Sequence, residues 1–144
     1  MPWLVEQFTI FGVYRVMSTV DGDKVTIRDG FEVWTLPEGE KVLAKHAFEG
    51  CLGLKSITIP DGVVTIGEGA FSGCAGLTEV KFPNSLVVID DWAFSGCTEL
   101  VNIEIPASVR VIGYGAFAGC RRFTKAIVPK TVDSVGYAAF DRCG

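Results

Sequence analysis

The stretch Leu54-Lys55-Ser56-Ile57-Thr58-Ile59-Pro60-Asp61-Gly62-Val63-Val64-Thr65-Ile66-Gly67-Glu68-Gly69-Ala70-Phe71-Ser72-Gly73-Cys74 decides the fold, because it returns. Further copies run from Leu77 to Cys97, from Leu100 to Cys120 and from Phe123 to Cys143, each beginning 23 residues after the last. Cysteines stand at 51, 74, 97, 120 and 143, phenylalanines at 48, 71, 94, 117 and 140, and prolines at 37, 60, 83, 106 and 129. Three residue types locked to one step over a hundred residues define an internal repeat. Counted from each proline, the units are 38–60, 61–83, 84–106 and 107–129, with a fifth begun at Lys130. A partial unit precedes them: Phe31, Trp34, Leu36 and Pro37 fill the slots of Leu54, Ile57, Ile59 and Pro60.

A unit of 23 residues is too short to bury its own apolar face, so successive units must stack and share one core. Within each unit Leu-x-x-Ile-x-Ile spaces its last two apolar residues by two, the period of a strand. The proline then removes a backbone donor and ends pairing. A second short extended stretch follows, with Val63 and Ile66 repeated as Leu86 and Ile89, Val109 and Ile112, and Val132 and Val135. The Ala-Phe-x-Gly-Cys segment closes the coil as one compact helical or 3₁₀ turn. Like strands of successive coils then run parallel, about 4.7–4.9 Å apart.

This unit resembles the BspA-like (Treponema-type) leucine-rich-repeat family over residues 31–144. The resemblance implies an α/β leucine-rich-repeat solenoid, β-rich, with parallel strands stacked in a right-handed superhelix of 23-residue coils. It also implies a secreted or cell-surface protein that binds host or bacterial proteins. The sequence departs from the pattern at Leu43-Ala44 and at Asp90, where other units carry Ile-Gly.

Residues 1–30 lie outside the repeat and read as an N-terminal cap, which the raw end of a solenoid requires. Val13 to Thr19 and Lys24 to Arg28 alternate in character around Asp21-Gly22, a hairpin signal. Trp3, Leu4, Phe8, Ile10 and Phe11 are expected to cover the first coil. Met1–Gln7 has no basic region and Glu6 interrupts its apolar run, so it reads as a poor signal peptide.

The 144 residues are 49% hydrophobic and 21% charged, with 13 basic against 17 acidic side chains and a net charge of −4. That suits one folded domain and argues against nucleic acid, which requires a clustered basic face. No apolar run reaches the ~18–20 residues of a membrane helix, so no insertion is expected.

Catalytic and metal chemistry finds little support. The cysteines contain no Cys-x-x-Cys, and a ladder of thiols makes a row where zinc needs a tetrahedron. The small, apolar thiol suits a buried slot, with disulfides between neighbouring coils as the alternative. Cys143 is expected to be the most exposed. The single histidine, His46, shares a slot with Gly69, Trp92, Gly115 and Ala138, which suggests a tolerant, solvent-facing position without a triad. Asp21-Gly22-Asp23 with Glu32 lacks the oxygen ligand and glycine of a calcium loop, since Val25 and Thr26 stand there. Gly67-Glu68-Gly69 and Gly113-Tyr114-Gly115 lack the third glycine and long helix of a phosphate loop. No cofactor is expected.

The surface is what remains. Residues between the buried strand slots face outward in columns that include Lys55, Glu79, Lys81 and Glu104, with Lys81 and Glu104 placed as lateral neighbours able to pair. A second column is Lys45, Glu68, Asp91, Tyr114 and Tyr137, so the two tyrosines should stack, with Trp92 in the adjoining slot one coil earlier. Clustered exposed aromatics mark interfaces. Phe123, Val128 and Phe140 line the last coil, so self-association, a homodimer through the C-terminal end, is expected as well. The sequence therefore reads as a non-catalytic module that presents a rigid surface to a protein partner. An intracellular inhibitor or adaptor is the alternative. An enzyme acting on glycans or peptides would have only Glu79 and Glu104 to use, and would need a deep pocket.

Overall fold

The computed structural model describes residues 41–59 and 61–144, together with the backbone of two strands nearer the N-terminus. In chain order the strands are β1 (Thr26–Arg28), β2 (Phe31–Val33), β3 (Val42–Leu43), β4 (Ser56–Thr58), β5 (Thr65–Ile66) and β6 (Glu79–Lys81). They continue as β7 (Val88–Ile89), β8 (Asn102–Glu104), β9 (Val111–Ile112), β10 (Lys125–Ile127) and β11 (Ser134–Val135). The molecule is a solenoid with two strand-bearing sides. One side is an unbroken five-stranded parallel sheet in the order β11-β9-β7-β5-β3. The other holds two parallel pairs, β4 with β6 and β8 with β10. Every parallel register matches residues 23 apart, such as Ile57 with Val80 and Ile89 with Ile112, so coil stacking follows the sequence period directly.

The core is the repeat seen end-on. Phe48, Phe71, Phe94 and Phe117 are fully buried, and their rings stack at 5.1, 4.9 and 5.2 Å with planes within 6° of parallel. Strands β6 and β8 bury their central residue and expose both flanks, as period-two alternation requires. Pro83, Pro106 and Pro129 each open a tight turn, with Leu86 N–H donating to Pro83 O, Val109 N–H to Pro106 O and Val132 N–H to Pro129 O. The Ala-Phe-x-Gly-Cys segment is a run of overlapping turns with i→i−3 bonding, such as Ala47 N–H to Ala44 O, Glu49 N–H to His46 O and Cys51 N–H to Phe48 O. No helix occurs among the described residues.

The hairpin expected across Asp21-Gly22 lies outside the described residues except for its last strand. Thr26–Arg28 pairs antiparallel, but with Phe31–Val33 further along the chain. That pairing begins before the register of the repeat takes hold: counting back 23 residues from β4 gives 33–35, whereas β2 occupies 31–33.

Candidate functional site

The cysteine ladder decides whether the thiols can do chemistry. Cys74 donates its S–H to Phe48 O at 3.0 Å, Cys97 to Phe71 O at 3.2 Å, Cys120 to Phe94 O at 3.3 Å and Cys143 to Phe117 O at 3.1 Å. Each of those carbonyls also accepts the backbone N–H of the cysteine in its own coil. The slot thus needs a small residue carrying a donor. Size and apolarity are only part of the reason that cysteine recurs. None of the five cysteines is in a disulfide, and Cys51 and Cys143 are half-buried. Burial, and then the neighbouring Cys143 thiol, push Cys120 up to about 12, and burial raises Cys97 further still. Thiols held protonated are poor nucleophiles and poor metal ligands. Among the described residues no three His, Cys, Asp or Glu side chains converge on a cation position.

The slot of His46 is not tolerant. His46, Gly69, Trp92, Gly115 and Ala138 all have φ between 58° and 64°, the left-handed region. Glycine occupies it freely, while histidine, tryptophan and alanine are strained there. The large residues alternate with glycine for a steric reason. A Cβ on Gly69 would lie 2.6 Å from His46 Nδ1, and one on Gly115 would collide with the Trp92 indole. His46 is half exposed, and its Nδ1 sits 3.3 Å from Glu49 Oε1.

Over the empty side of Gly115 the Trp92 ring lies 5.0 Å from Tyr114, tilted by 57°, and Tyr114 lies 5.7 Å from Tyr137. The three side chains are 38%, 42% and 78% exposed. Their backbones are tied across coils: Trp92 N–H donates to Tyr114 O, Gly115 N–H to Tyr137 O, and Tyr114 N–H to Asp91 Oδ1 at 2.9 Å. The sequence placed the two tyrosines together. It also placed Trp92 in the adjoining slot, and the ring contacts join all three residues in one strip across three coils.

Lys55, Glu79, Lys81 and Glu104 all reach solvent. The expected Lys81–Glu104 pair does not form. Ion pairs between like slots do occur elsewhere, as in Lys45–Glu68 at 3.5 Å and Arg122–Glu99 at 3.5 Å. The strand pairing is interrupted at that junction, between β6 and β8. Around it the surface carries a depression of about 770 Å³, lined by residues of both strands and by Phe82, Lys125 and Ile127. At the C-terminal end Phe123 is 8% exposed, Phe140 is half-buried and Val128 is 37% exposed. Residues 121–144 carry five basic and two acidic side chains, so two such faces meeting would repel.

Residues 29–144 match the family model described as BspA type Leucine rich repeat region, in six copies. The chain belongs to the BspA-type leucine-rich-repeat family. Among solved structures it is similar to a T. pallidum leucine-rich-repeat protein, at 34% identity over 73% of this chain and 50% of that one, TM-score 0.71. It is also similar to a leucine-rich cell surface protein from Faecalibacterium prausnitzii A2-165, at 30% identity over 90% of this chain and 32% of that one, TM-score 0.73. The pneumococcal vaccine antigen PcpA matches at 27% identity over 84% of this chain and 31% of that one, TM-score 0.62. The BspA-type chain spans half or less of the length of these structures. No curated protein matches it. Among the described residues of this BspA-type solenoid no helix is long and apolar enough to cross a membrane.

Proposed function

We propose that this solenoid is a non-catalytic protein-binding module whose anchoring surface is the Trp92–Tyr114–Tyr137 strip. One observation carries the reading: a tryptophan stands exposed in a left-handed slot that glycine would fill without strain. Backbone strain clusters at functional sites, and of His46, Trp92 and Ala138, which share it, Trp92 presents an aromatic ring packed against the next coil. Trp92 closes no core, since its neighbours on that side are Tyr114 and the bare face of Gly115. Three aromatic rings held by cross-coil backbone bonds are preorganised, which lowers the ordering cost of association. Aromatic anchors of this type dominate binding energy at protein interfaces. The cell surface protein and the vaccine antigen among the similar structures support an adhesion-type role. Lys55, Glu79, Lys81 and Glu104 then serve as a secondary, polar face.

The test compares the chain with Trp92→Ala/Tyr114→Ala in quantitative capture from host and bacterial lysates. Partners of the strip are those that the wild type enriches and the double variant does not. Equal capture by both proteins removes the strip from the proposal.

A further inference from the structure

The solenoid is closed on one side and split on the other. At the junction of β4 with β6, Thr78 N–H donates to Lys55 O at 2.7 Å and Ile59 N–H to Lys81 O at 2.9 Å. At the junction of β8 with β10 the same two bonds recur, Thr124 N–H to Val101 O at 2.9 Å and Ile105 N–H to Ile127 O at 3.1 Å. Between β6 and β8 their counterparts, Val101 N–H to Thr78 O and Phe82 N–H to Glu104 O, are missing, and no strand pairing joins the two.

The turn that follows shows the same interruption. Ser85 Oγ bridges its junction by accepting from Gly62 N–H at 3.0 Å and donating to Val63 O at 2.8 Å. Thr131 Oγ1 donates to Ala107 O at 2.9 Å across the junction of β8 with β10. Ser108, at the equivalent position between them, has a buried hydroxyl with no partner. The split ends on either side, where Gly73 N–H donates to Ser95 O at 2.7 Å and Arg110 N–H to Val87 O at 2.8 Å.

Two residues account for it. Phe82 fills a slot held by Ile59 and Ile105 in neighbouring coils, and its ring meets Phe94 edge-on at 5.8 Å. That bulk wedges the strands apart. Val101 replaces the threonine of its slot, where Thr78 and Thr124 bond across their junctions through Oγ1.

We propose that this split captures an extended peptide strand from a partner protein, which inserts between β6 and β8 and completes the interrupted sheet. No strand-pairing bond joins β6 to β8, so an inserted strand would satisfy the edges of both neighbours. The flanking side chains specify the strand. Its inward residues lie between Val80 and Ile103 and between Phe82 and Ile105, which calls for aliphatic side chains. One outward residue falls between Glu79 and Asn102, where a basic side chain would face a carboxylate that has no ion-pair partner among the described residues. The next falls between Lys81 and Glu104, where the charges are already balanced and a neutral polar residue fits. The occupant is therefore a strand of the type polar-basic-aliphatic-polar-aliphatic.

The probe is a fluorescein-labelled Thr-Lys-Ile-Thr-Ile peptide, read by anisotropy, with hydrogen exchange of the Phe82 and Val101 amides as a second readout. The proposal expects saturable binding below about 1 mM. It also expects these amides to exchange faster than those of Ile59, Ile105, Thr78 and Thr124 in the free protein, and to become protected when peptide is added. Glu79→Lys should weaken binding at least tenfold. Phe82→Ile should close the split, protect both amides without peptide and abolish capture. The pair Thr78→Cys/Val101→Cys should lose binding when oxidised and regain it when reduced, which separates closure from misfolding. Trp92→Ala should leave capture unchanged, so this test can fail without touching the aromatic strip. Binding that survives the oxidised pair, amides already protected in the free protein, or no binding up to that concentration would each overturn the proposal.

Discussion

Replacing Phe94 with alanine tests the stacking that holds the coils together. Phe94 is fully buried and meets Phe71 at 4.9 Å, Phe117 at 5.2 Å and Phe82 edge-on at 5.8 Å. Truncating a buried phenylalanine costs about 3–5 kcal/mol, from lost transfer energy and the cavity left behind. Each aromatic pair adds about 0.5–1.5 kcal/mol beyond its buried area. With three ring partners and parallel coils on both sides, Phe94→Ala should fall near the top of that range, about 5 kcal/mol. Phe140 is the built-in control, because it occupies the same slot but is half-buried, stacking on Phe117 at 5.3 Å and lying 6.5 Å from the Phe123 ring. Its truncation should cost about 2 kcal/mol, since roughly half the surface is already in solvent. The assay is urea unfolding followed by far-UV circular dichroism, with the slope compared so that only the midpoint is read as stability. Losses at Phe94 and Phe140 within about 1 kcal/mol of each other would refute the account, because a ladder must be worth more inside than at its end.

Three further outcomes are expected. Trp92→Gly relieves about 1 kcal/mol of left-handed strain and loses about as much ring contact, so stability should change by less than about 1 kcal/mol while partner capture falls. A loss of 3 kcal/mol or more in urea would make Trp92 structural instead. The buried thiols keep their protons in the folded state, whereas an unfolded thiol titrates near 9.0. Their contribution is therefore complete below pH 9 and is lost as pH rises towards the folded value, about 12 for Cys120. Each of Cys97 and Cys120 should lose about 1.4 kcal/mol by pH 10. Melts of Cys97→Ala/Cys120→Ala, with a correspondingly flatter pH dependence, check this. Pairing through Phe123, Val128 and Phe140 predicts a dimer mass by light scattering that grows with salt, because the charge on residues 121–144 opposes it. A monomer at micromolar concentration in both low and high salt would exclude that interface.

The period of 23 determined which residues meet. Once identical coils stack in register, Phe71 must lie on Phe48 and on Phe94, and Ile57 must lie beside Val80, whatever the details of the turns. The aromatic column of Tyr114 and Tyr137 was legible for the same reason. Distances and backbone angles were not. A slot shared by His46, Gly69, Trp92, Gly115 and Ala138 looks permissive as a set of letters, and becomes a left-handed position only when φ is known. The pairing of Lys81 with Glu104 follows from register alone, yet it does not form where strand pairing between β6 and β8 is interrupted. The thiol-to-carbonyl bonds depend on an offset of 26 residues, one coil plus the width of a turn, which no count of repeats supplies. A repeat fixes neighbours because chain connectivity repeats. Hydrogen bonds, strain and gaps are settled by steric fit at a fraction of an ångström, and that exists only in the assembled coil.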